Sequence, residues 1–391
     1  MSEQKLHYFN DVYLKGKESN IISRKEMLKG FNKIEDLEVA INYLISRKDD
    51  KIGISNLIET RIDLKPLYTP EIFRKTSNKR FIRLYNILIQ NRLINIFYML
   101  RLLQVPKDDK VYIWGLQSAF SLYLLGSLSP NKVILELDDH VFGKDRLKDH
   151  IYLKAAEKSS KVSTVSYATY QDLISRGIKE EKIDILPNAV DYKNFHMPGD
   201  KDDIREKLSL DKEKFLVIYT GQLYDWKGIP TLLKAFHKID AEDTQLIIVG
   251  GREDDIERYR NYTKSEDYQG DVRFEGYVSR DKIPLYQNTA DLLVLPNTAR
   301  SEKSREYTSP LKLKEYLAAN TPLIVSELPS IKREVSSEEV FYFNPDNPAH
   351  LAEKMLYIRK NWDKAERKLS NSIKRAENYT WEDRARKVID I

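Results

Sequence analysis

The stretch VIYTGQLYDWKGIPTLLKAF, residues 217–236, joins an apolar strand, a turn flanked by glycines and an amphipathic helix. The strand is a short β-branched run ending near Thr220, and apolar residues then recur at helical spacing from Ile229 to Phe236. The first N–H groups of such a helix lack intrahelical partners, and the helix dipole adds partial positive charge there. The stretch therefore predicts a βα unit whose turn suits an anion such as phosphate.

Lys227 stands where this turn enters the helix. Its charge would complete an anion site, with Gly221 and Gly228 giving a phosphate room to approach the backbone. The alternative is that Lys227 is a solvated surface lysine and that the glycines only shape the loop. The stretch alone leaves both interpretations open.

The composition indicates a two-domain soluble or peripheral protein. The 391 residues are enough for two α/β cores. The absence of cysteine excludes disulfides and thiolate zinc sites, and with no apolar leader it favours a reducing cytosol. No run approaches the roughly 20 apolar residues that span a bilayer. A net charge of +5 is too small to predict a nucleic-acid partner.

Buried strands alternate with helical segments along both halves of the chain, which predicts two doubly wound parallel sheets. A polar stretch at residues 198–203 separates the halves and predicts a domain boundary. The predicted strands are 6–9, 110–115, 132–139, 161–166 and 182–188 in the first half, and 214–221, 244–251, 271–278, 290–296 and 321–327 in the second.

Residues 72–104 contain seven basic side chains, no acidic one and many apolar ones. A basic amphipathic helix with aromatic residues is typical of segments that lie on an anionic membrane surface. The alternative is that its apolar face packs on the domain's own sheet while the cations point to water. Both interpretations stay open, the packing one being favoured for residues 92–103.

Four segments of the second half follow one another in this order: GQLYDWKGIPTLLKAF (221–236), IIVGG (247–251), VRFEGYV (272–278) and SPLKLKEYLAANTPLIVSELPSIKREV (309–335). Together they resemble the GT-B glycosyltransferases, and among them the retaining family-four enzymes that use nucleotide sugars. VSYATYQDLISRGI (165–178) resembles the end of that fold's N-terminal domain. The resemblance extends from about residue 132 to 381 and is loose in the first hundred residues.

The resemblance implies an α/β fold of the GT-B type, with two Rossmann-like doubly wound parallel-sheet domains facing a central cleft. The implied domains are an acceptor-binding domain at 1–200, a nucleotide-sugar domain at 201–365, and a C-terminal helix at 366–391 that packs back toward the N-terminal domain.

The resemblance also implies how the donor diphosphate is bound. Lys227 corresponds to the family's diphosphate lysine, and Gly221 and Gly250 lie in the loops beside it. Gln222 stands where the family usually has arginine, so another cation is needed. Lys312 is the leading candidate, because it lies in the first turn of a predicted helix.

The resemblance implies a pair of glutamates with seven residues between them, and only one of the two is present in this sequence. Glu315 matches the glutamate that accepts hydrogen bonds from the ribose hydroxyls, whereas Tyr307 occupies the place of the other. Either Glu306 shifts into register, or the donor sugar is positioned by Tyr307, Thr308 and backbone groups, which we favour. The predicted donor residues of this segment are Glu306, Tyr307, Thr308, Ser309, Pro310, Leu311, Lys312 and Glu315.

Tyr277 and Val278 match the loop that holds the nucleobase, although Tyr277 has the alternative of being a core residue. Asp138 lies where family members carry a histidine near the reacting sugar, and His140 follows two residues later. Both are catalytic candidates, with a hydrogen-bonded loop histidine as the alternative for His140. Ser166 and Asn188 are further cleft candidates at strand ends, and Asn188 has the alternative of a turn residue.

We therefore expect a metal-independent retaining hexosyltransferase that needs no cofactor beyond its UDP- or GDP-sugar substrate. The expected acceptor is a glycan or lipid-linked glycan of surface polysaccharide assembly, and the expected location is the cytoplasm, at the inner face of the membrane if residues 72–104 bind it. A non-catalytic GT-B scaffold is the alternative, followed by a sugar-nucleotide epimerase or hydrolase.

Overall fold

The structure is a computed structural model of the chain. It describes residues 4–10, 19–35, 37–45, 57–63, 91–128, 132–138, 140–239, 242–264 and 268–390. The chain forms two compact units, Met1–Pro187 with Trp381–Ile391, and Asn188–Thr380.

The first unit is built on a seven-stranded parallel sheet in the order β3-β2-β1-β4-β5-β6-β7. This is the strand order of a Rossmann fold with one added strand, so its switch point lies between β1 and β4. The strands are β1 (Gln4–Asn10), β2 (Leu37–Ile45), β3 (Leu57–Asp63), β4 (Lys110–Trp114), β5 (Lys132–Leu137), β6 (Lys161–Thr164) and β7 (Ile183–Ile185). Its helices are α1 (Ser19–Phe31), α2 (Asn91–Leu103), α3 (Leu116–Leu125), α4 (Arg146–Lys158) and α5 (Tyr167–Ser175).

The second unit repeats the plan with six parallel strands in the order β10-β9-β8-β11-β12-β13. The strands are β8 (Phe215–Thr220), β9 (Thr244–Val249), β10 (Val272–Gly276), β11 (Leu292–Leu295), β12 (Leu323–Ser326) and β13 (Phe341–Phe343). The helices that follow in the chain are α6 (Tyr192–Phe195), α7 (Lys201–Lys207), α8 (Ile229–Phe236), α9 (Glu253–Thr263), α10 (Ile283–Thr289), α11 (Leu311–Ala318), α12 (Pro329–Lys332), α13 (Pro348–Lys360), α14 (Trp362–Ala376) and α15 (Trp381–Asp390).

The sheet of the second unit is buried on both faces. Alternate residues of β8 enter different cores: Leu216 and Ile218 pack in one, and Val217 and Tyr219 in the other. Helices on both sides explain why the strands are near-continuous apolar runs. The predicted fold class, α/β with two doubly wound parallel sheets, is confirmed.

Three strands were not predicted from the sequence: β2, β3 and β13. β2 (LEVAINYLI) includes polar residues, and β13 has only three residues, so neither gives a strong apolar run. The two compact units divide after Pro187, whereas the predicted domain boundary lies in the polar stretch 198–203. The predicted helix at 366–391 is two helices, α14 in the second unit and α15 in the first.

The basic segment 72–104 is only partly described, since residues 72–90 lie outside the described ranges. Its second part forms α2, whose Ile94, Tyr98 and Leu102 are buried in the first unit's core at helical spacing. The opposite apolar residues Ile96 and Leu100 are more than half exposed. In the described part of the chain, no helix is long and apolar enough to cross a bilayer.

A buried ion pair fixes α15 in the first unit. Arg384 donates to Glu136 Oε1 across 2.9 Å, and both side chains are almost fully buried. Tyr112 and Ser163 donate to the other carboxylate oxygen at 2.7 and 2.5 Å. The carboxylate is thus satisfied on both oxygens, which is the condition under which a buried charge is tolerated.

Replacing Arg384 with Met is expected to lower the free energy of unfolding by about 3–5 kcal/mol, because Glu136 is left as an uncompensated buried charge. Urea unfolding followed by tryptophan fluorescence measures this. The control is Arg386→Met, which breaks an exposed pair with Glu382 and should cost about 1 kcal/mol or less. A loss for Arg384→Met no larger than the control's would contradict the assignment.

Candidate functional site

Three loops of the second unit meet at the carboxyl edge of its sheet. The Gly221 N–H after β8 donates to the Val249 carbonyl at 2.7 Å, and the Gly250 N–H after β9 donates to the Gly276 carbonyl at 2.6 Å. These two backbone bonds hold the ends of β8, β9 and β10 together. In doubly wound sheets, ligands bind at this edge near the switch point, here between β8 and β11.

Lys227 ends a 3₁₀ turn, Asp225–Lys227, that leads into α8. Gly228 follows at φ 76°, and a Cβ there would collide with the Pro296 carbonyl oxygen after β11, so glycine is required. Lys227 Nζ lies 3.7 Å from the ring centroid of Trp226. The turn therefore places a lysine beside the start of α8, next to the switch point.

Lys312 lies in the first turn of α11 and is 8% exposed. Its Nζ lies 3.6 Å from the ring centroid of Tyr219 and beside Gly221, and it has no hydrogen-bond partner among the described residues. Burial, and next the charge of Lys227, lower the pKa of Lys312 well below its usual value, against the smaller opposing effect of Glu315. The site thus holds two lysines that repel each other and one ammonium without an acceptor.

Glu315 is buried one turn further along α11. Arg280 Nη2, from the loop after β10, donates to its Oε1 at 2.5 Å. Gln287 Nε2, from α10, donates to its Oε2 at 3.4 Å and to Thr220 Oγ1 at 3.0 Å. The carboxylate is therefore held from two sides at the end of β8.

Two tyrosines connect α11 and the first loop to β8. The Thr220 N–H donates to Tyr316 Oη at 2.7 Å, and the Tyr219 hydroxyl donates to the Gln222 carbonyl at 2.7 Å. Burial, as the largest cause, raises the pKa of both phenols, so both stay protonated. The side-chain oxygen of Gln222 is buried without a partner among the described residues.

The nucleobase candidates lie on the loop after β10. Tyr277 is 53% exposed, which excludes the alternative that it is a core tyrosine. Val278 packs against the hydrophobic core of the second unit. An aromatic side chain at such an edge can stack on a planar group.

Glu306 lies in the π-helical turn Lys303–Tyr307. Arg305 Nε and Arg333 Nη1 donate to its two oxygens at 3.3 and 3.4 Å. Tyr307 and Thr308 are nearly buried beside it. The described contacts of Glu306 thus join it to two arginines, not to Lys312 or Glu315.

Ser309 and Asn188 fix the start of α11. The Asn188 backbone N–H donates to Ser309 Oγ at 3.1 Å, and Asn188 Nδ2 donates to the Ser309 carbonyl at 2.8 Å. Pro310 is the N-cap and Leu311 the first helical residue. Asn188, predicted as a cleft or turn residue, therefore holds the segment that presents Lys312.

The remaining candidates lie in the first unit. His140 Nε2 lies 2.8 Å from Asp149 Oδ1, and its ring packs against Phe142 and Tyr152. These contacts agree with a hydrogen-bonded loop histidine, and a catalytic role stays a prediction. Asp138 follows β5, half-buried, and Ser166 caps α5 by accepting from the Thr169 N–H at 3.2 Å. All three residues, His140, Asp138 and Ser166, belong to the first unit.

Sequence reasoning missed Arg280, Gln287 and Tyr219 as parts of the site. Arg280 and Gln287 are 35 and 28 residues from Glu315 in sequence, so no local spacing connects them. Tyr219 has the pattern of a core strand residue, which it also is. Among the described residues, no group of three or more metal-binding side chains is gathered.

Residues 200–376 match the family described as glycosyl transferases group 1. This span covers most of the second unit, and the resemblance to glycosyltransferases inferred from its motifs is confirmed at this level. The narrower assignment to family four stays a prediction.

Two curated relatives are each similar to more than half of the chain. An uncharacterized glycosyltransferase of Methanocaldococcus jannaschii is 26% identical over 253 residues, 61% of each chain. The O-antigen chain mannosyltransferase RfbU of Salmonella typhimurium is 28% identical over 233 residues, 58% of this chain and 57% of that one. The chain therefore spans about three fifths of the length of these relatives.

Among solved structures, HepE of Anabaena, in complex with UDP and glucose, has a TM-score of 0.73 at 14% identity. The match covers 99% of this chain and 98% of HepE. At this identity the likeness concerns the fold alone, and it confirms the GT-B architecture predicted from the sequence.

Proposed function

We propose that this protein is a glycosyltransferase that moves a sugar from a nucleoside diphosphate sugar to an acceptor hydroxyl. The observation that carries the proposal is the pair Lys227 and Lys312 at the switch-point edge. Lys312 Nζ is buried, has no acceptor among the described residues and is repelled by Lys227. A diphosphate would give the Lys312 ammonium an acceptor and would offset its repulsion by Lys227.

Donor recognition in this proposal uses the loops that meet at the same edge. Glu315 accepts from the ribose hydroxyls, and Tyr277 and Val278 hold the base. The donor is a UDP- or GDP-sugar, and the UDP bound to HepE in its crystal structure favours uridine. Lys312 reaches the phosphate by rotating its flexible four-carbon side chain off the Tyr219 ring.

In the proposed reaction, the two lysines stabilise the charge that grows on the departing nucleoside diphosphate. Retention follows from front-face departure, in which the leaving phosphate takes the proton of the attacking hydroxyl. Such a route requires neither a strong protein base nor a metal ion, because the lysines and the N-terminal end of α11 supply the positive charge.

The proposed acceptor is a glycan or lipid-linked glycan in surface polysaccharide assembly, on the cytoplasmic face of the membrane. Two observations support this: the relative RfbU is named an O-antigen chain mannosyltransferase, and α2 leaves Ile96, Leu100 and Leu103 about half exposed beside Arg101. Apolar and basic residues together favour an anionic lipid surface.

Calorimetric titration with UDP, GDP and their sugar conjugates tests the donor site. We expect one nucleotide class to bind, and Lys227→Ala and Lys312→Met each to weaken binding by about 1–3 kcal/mol, the scale of a charged hydrogen bond. Lys234→Ala, an exposed lysine on α8, is the matched control and should bind as wild type. If none of these ligands binds, the donor site and the transferase proposal fail together.

Product analysis then separates the functions that share a donor site. Consumption of the donor only with an added acceptor extract indicates a transferase, whereas consumption without acceptor indicates a hydrolase or epimerase. Binding without consumption, with any acceptor, would indicate a non-catalytic scaffold. The scaffold alternative is based on Gln222 and Tyr307, which stand where the family usually has an arginine and a glutamate.

Donor affinity should fall as pH rises. The lowered pKa of free Lys312 favours loss of its proton as pH rises, whereas a bound diphosphate raises that pKa, so binding takes up a proton. Calorimetry in buffers of different ionisation enthalpy, from pH 7.5 to 9.5, measures the uptake. The phosphates, with a last pKa of about 6, stay fully ionised there.

Lys312→Arg is the control for this linkage, because arginine stays charged throughout the range. Its affinity should vary by less than about twofold with pH. An equal pH dependence in wild type and Lys312→Arg would assign the titration to another group.

Flotation with vesicles containing anionic lipid tests the membrane proposal. We expect wild type to float with anionic but not with neutral vesicles, and Leu100→Glu to reduce flotation severalfold by placing a charge on the contact surface. Leu147→Glu, at another exposed leucine of the first unit, is the control. Equal flotation with neutral vesicles would contradict the basic-surface explanation.

A further inference from the structure

Each oxygen of the Glu315 carboxylate accepts from a different side chain. Arg280 Nη2 donates to Oε1, and Gln287 Nε2 donates to Oε2. An ionised carboxylate has about four lone-pair sites, two on each oxygen. One acceptor site therefore stays available on each oxygen, and the two together suit a pair of neighbouring hydroxyls.

Both donors are themselves held in place. The guanidinium of Arg280 lies 4.9 Å from the ring centroid of Phe195, at the end of α6. Gln287 is fully buried, and its Nε2 also donates to Thr220 Oγ1 at 3.0 Å. The orientation of Glu315 is thus set by three elements besides its own helix: α6, α10 and the end of β8.

The two donors differ in exposure. Gln287 is an interior residue, whereas the side chain of Arg280 is 43% exposed and lies on the loop that follows β10. Tyr277, the exposed aromatic of the same loop, is three residues earlier. Arg280 therefore joins the loop proposed for the nucleobase to the carboxylate proposed for the ribose.

We propose that Arg280 is a positioning residue that, with Gln287, orients Glu315 to accept from both hydroxyls of a ribose diol. This makes the site selective for ribonucleotide over deoxyribonucleotide donors. The inference rests on the proposed donor site, and it adds a specificity residue that the motif resemblance does not include.

The 2′ hydroxyl of the nucleotide distinguishes a positioning role of Arg280 from its other possible roles. In a positioning role, Arg280 contributes more to binding of the ribonucleotide, which offers Glu315 two hydroxyls, than to binding of the 2′-deoxynucleotide, which offers one. If Arg280 instead bound a phosphate directly, or only stabilised the fold, its loss would weaken ribose and deoxyribose nucleotides equally.

The experiment compares UDP with 2′-deoxy-UDP by calorimetry, or GDP with 2′-deoxy-GDP if guanine is the base that binds. Wild type should prefer the ribonucleotide by about tenfold or more, the scale of one hydrogen bond to a charged group. Arg280→Met should reduce this preference to about threefold or less, mainly by weakening the ribonucleotide. Glu315→Gln should reduce it as well.

Arg280→Lys keeps the charge without the rigid guanidinium fork, so it should restore only part of the preference. Lys282→Met, at an exposed lysine of the same 3₁₀ turn, is the matched control and should keep the wild-type preference. Because Arg280 is partly exposed, the variants are expected to fold, which thermal unfolding checks.

An equal loss for both nucleotides in Arg280→Met, or an unchanged preference, would overturn the positioning role while leaving the donor site in place. Absence of nucleotide binding by the wild-type protein would instead overturn the donor site itself. The two failures are therefore distinguishable in one titration series.

Discussion

Two buried lysines on the short helix α11, Lys312 and Lys314, differ in how their charges are paired. Lys314 is fully buried and pairs with Glu334 at 2.5 Å, with its Nζ also over the ring of Tyr379. Lys312, two residues earlier, has the ring of Tyr219 and no carboxylate partner among the described residues. Because a buried charge is stable only when paired, Lys314 is paired within the protein, whereas the proposed diphosphate would provide the partner of Lys312.

The rest of α11 keeps Lys312 at the strand ends. Tyr316 accepts from the Thr220 N–H, and Glu315 is held through Arg280 and Gln287. Each bond connects α11 to a different element, so the helix cannot turn about its axis without breaking buried polar contacts. The position of Lys312 is therefore determined by contacts that form without a ligand.

Strand and turn patterns were sufficient for the architecture, because apolar periodicity marks β8 and α8 and a glycine marks the tight turn at Gly228. They were insufficient for β2, whose polar residues weaken the alternation. For the site, the helix start at Pro310 and the lysine in its first turn were predictable, since both signals are local. The contacts of Glu315 with Arg280 and Gln287 were not, because only the folded sheet brings distant loops to one edge.

The replacement of the family's usual arginine by Gln222 changes the electrostatics of the free protein. An arginine there would stay charged at every physiological pH and would repel Lys227 permanently. A buried lysine can instead lose its proton when no anion is present, since burial and Lys227 both lower its pKa. A lower pKa of Lys312 weakens that repulsion in the free protein, and the proposed diphosphate would favour the protonated lysine. In this proposal, Gln222 and Lys312 together replace a permanent cation with one whose charge depends on the ligand.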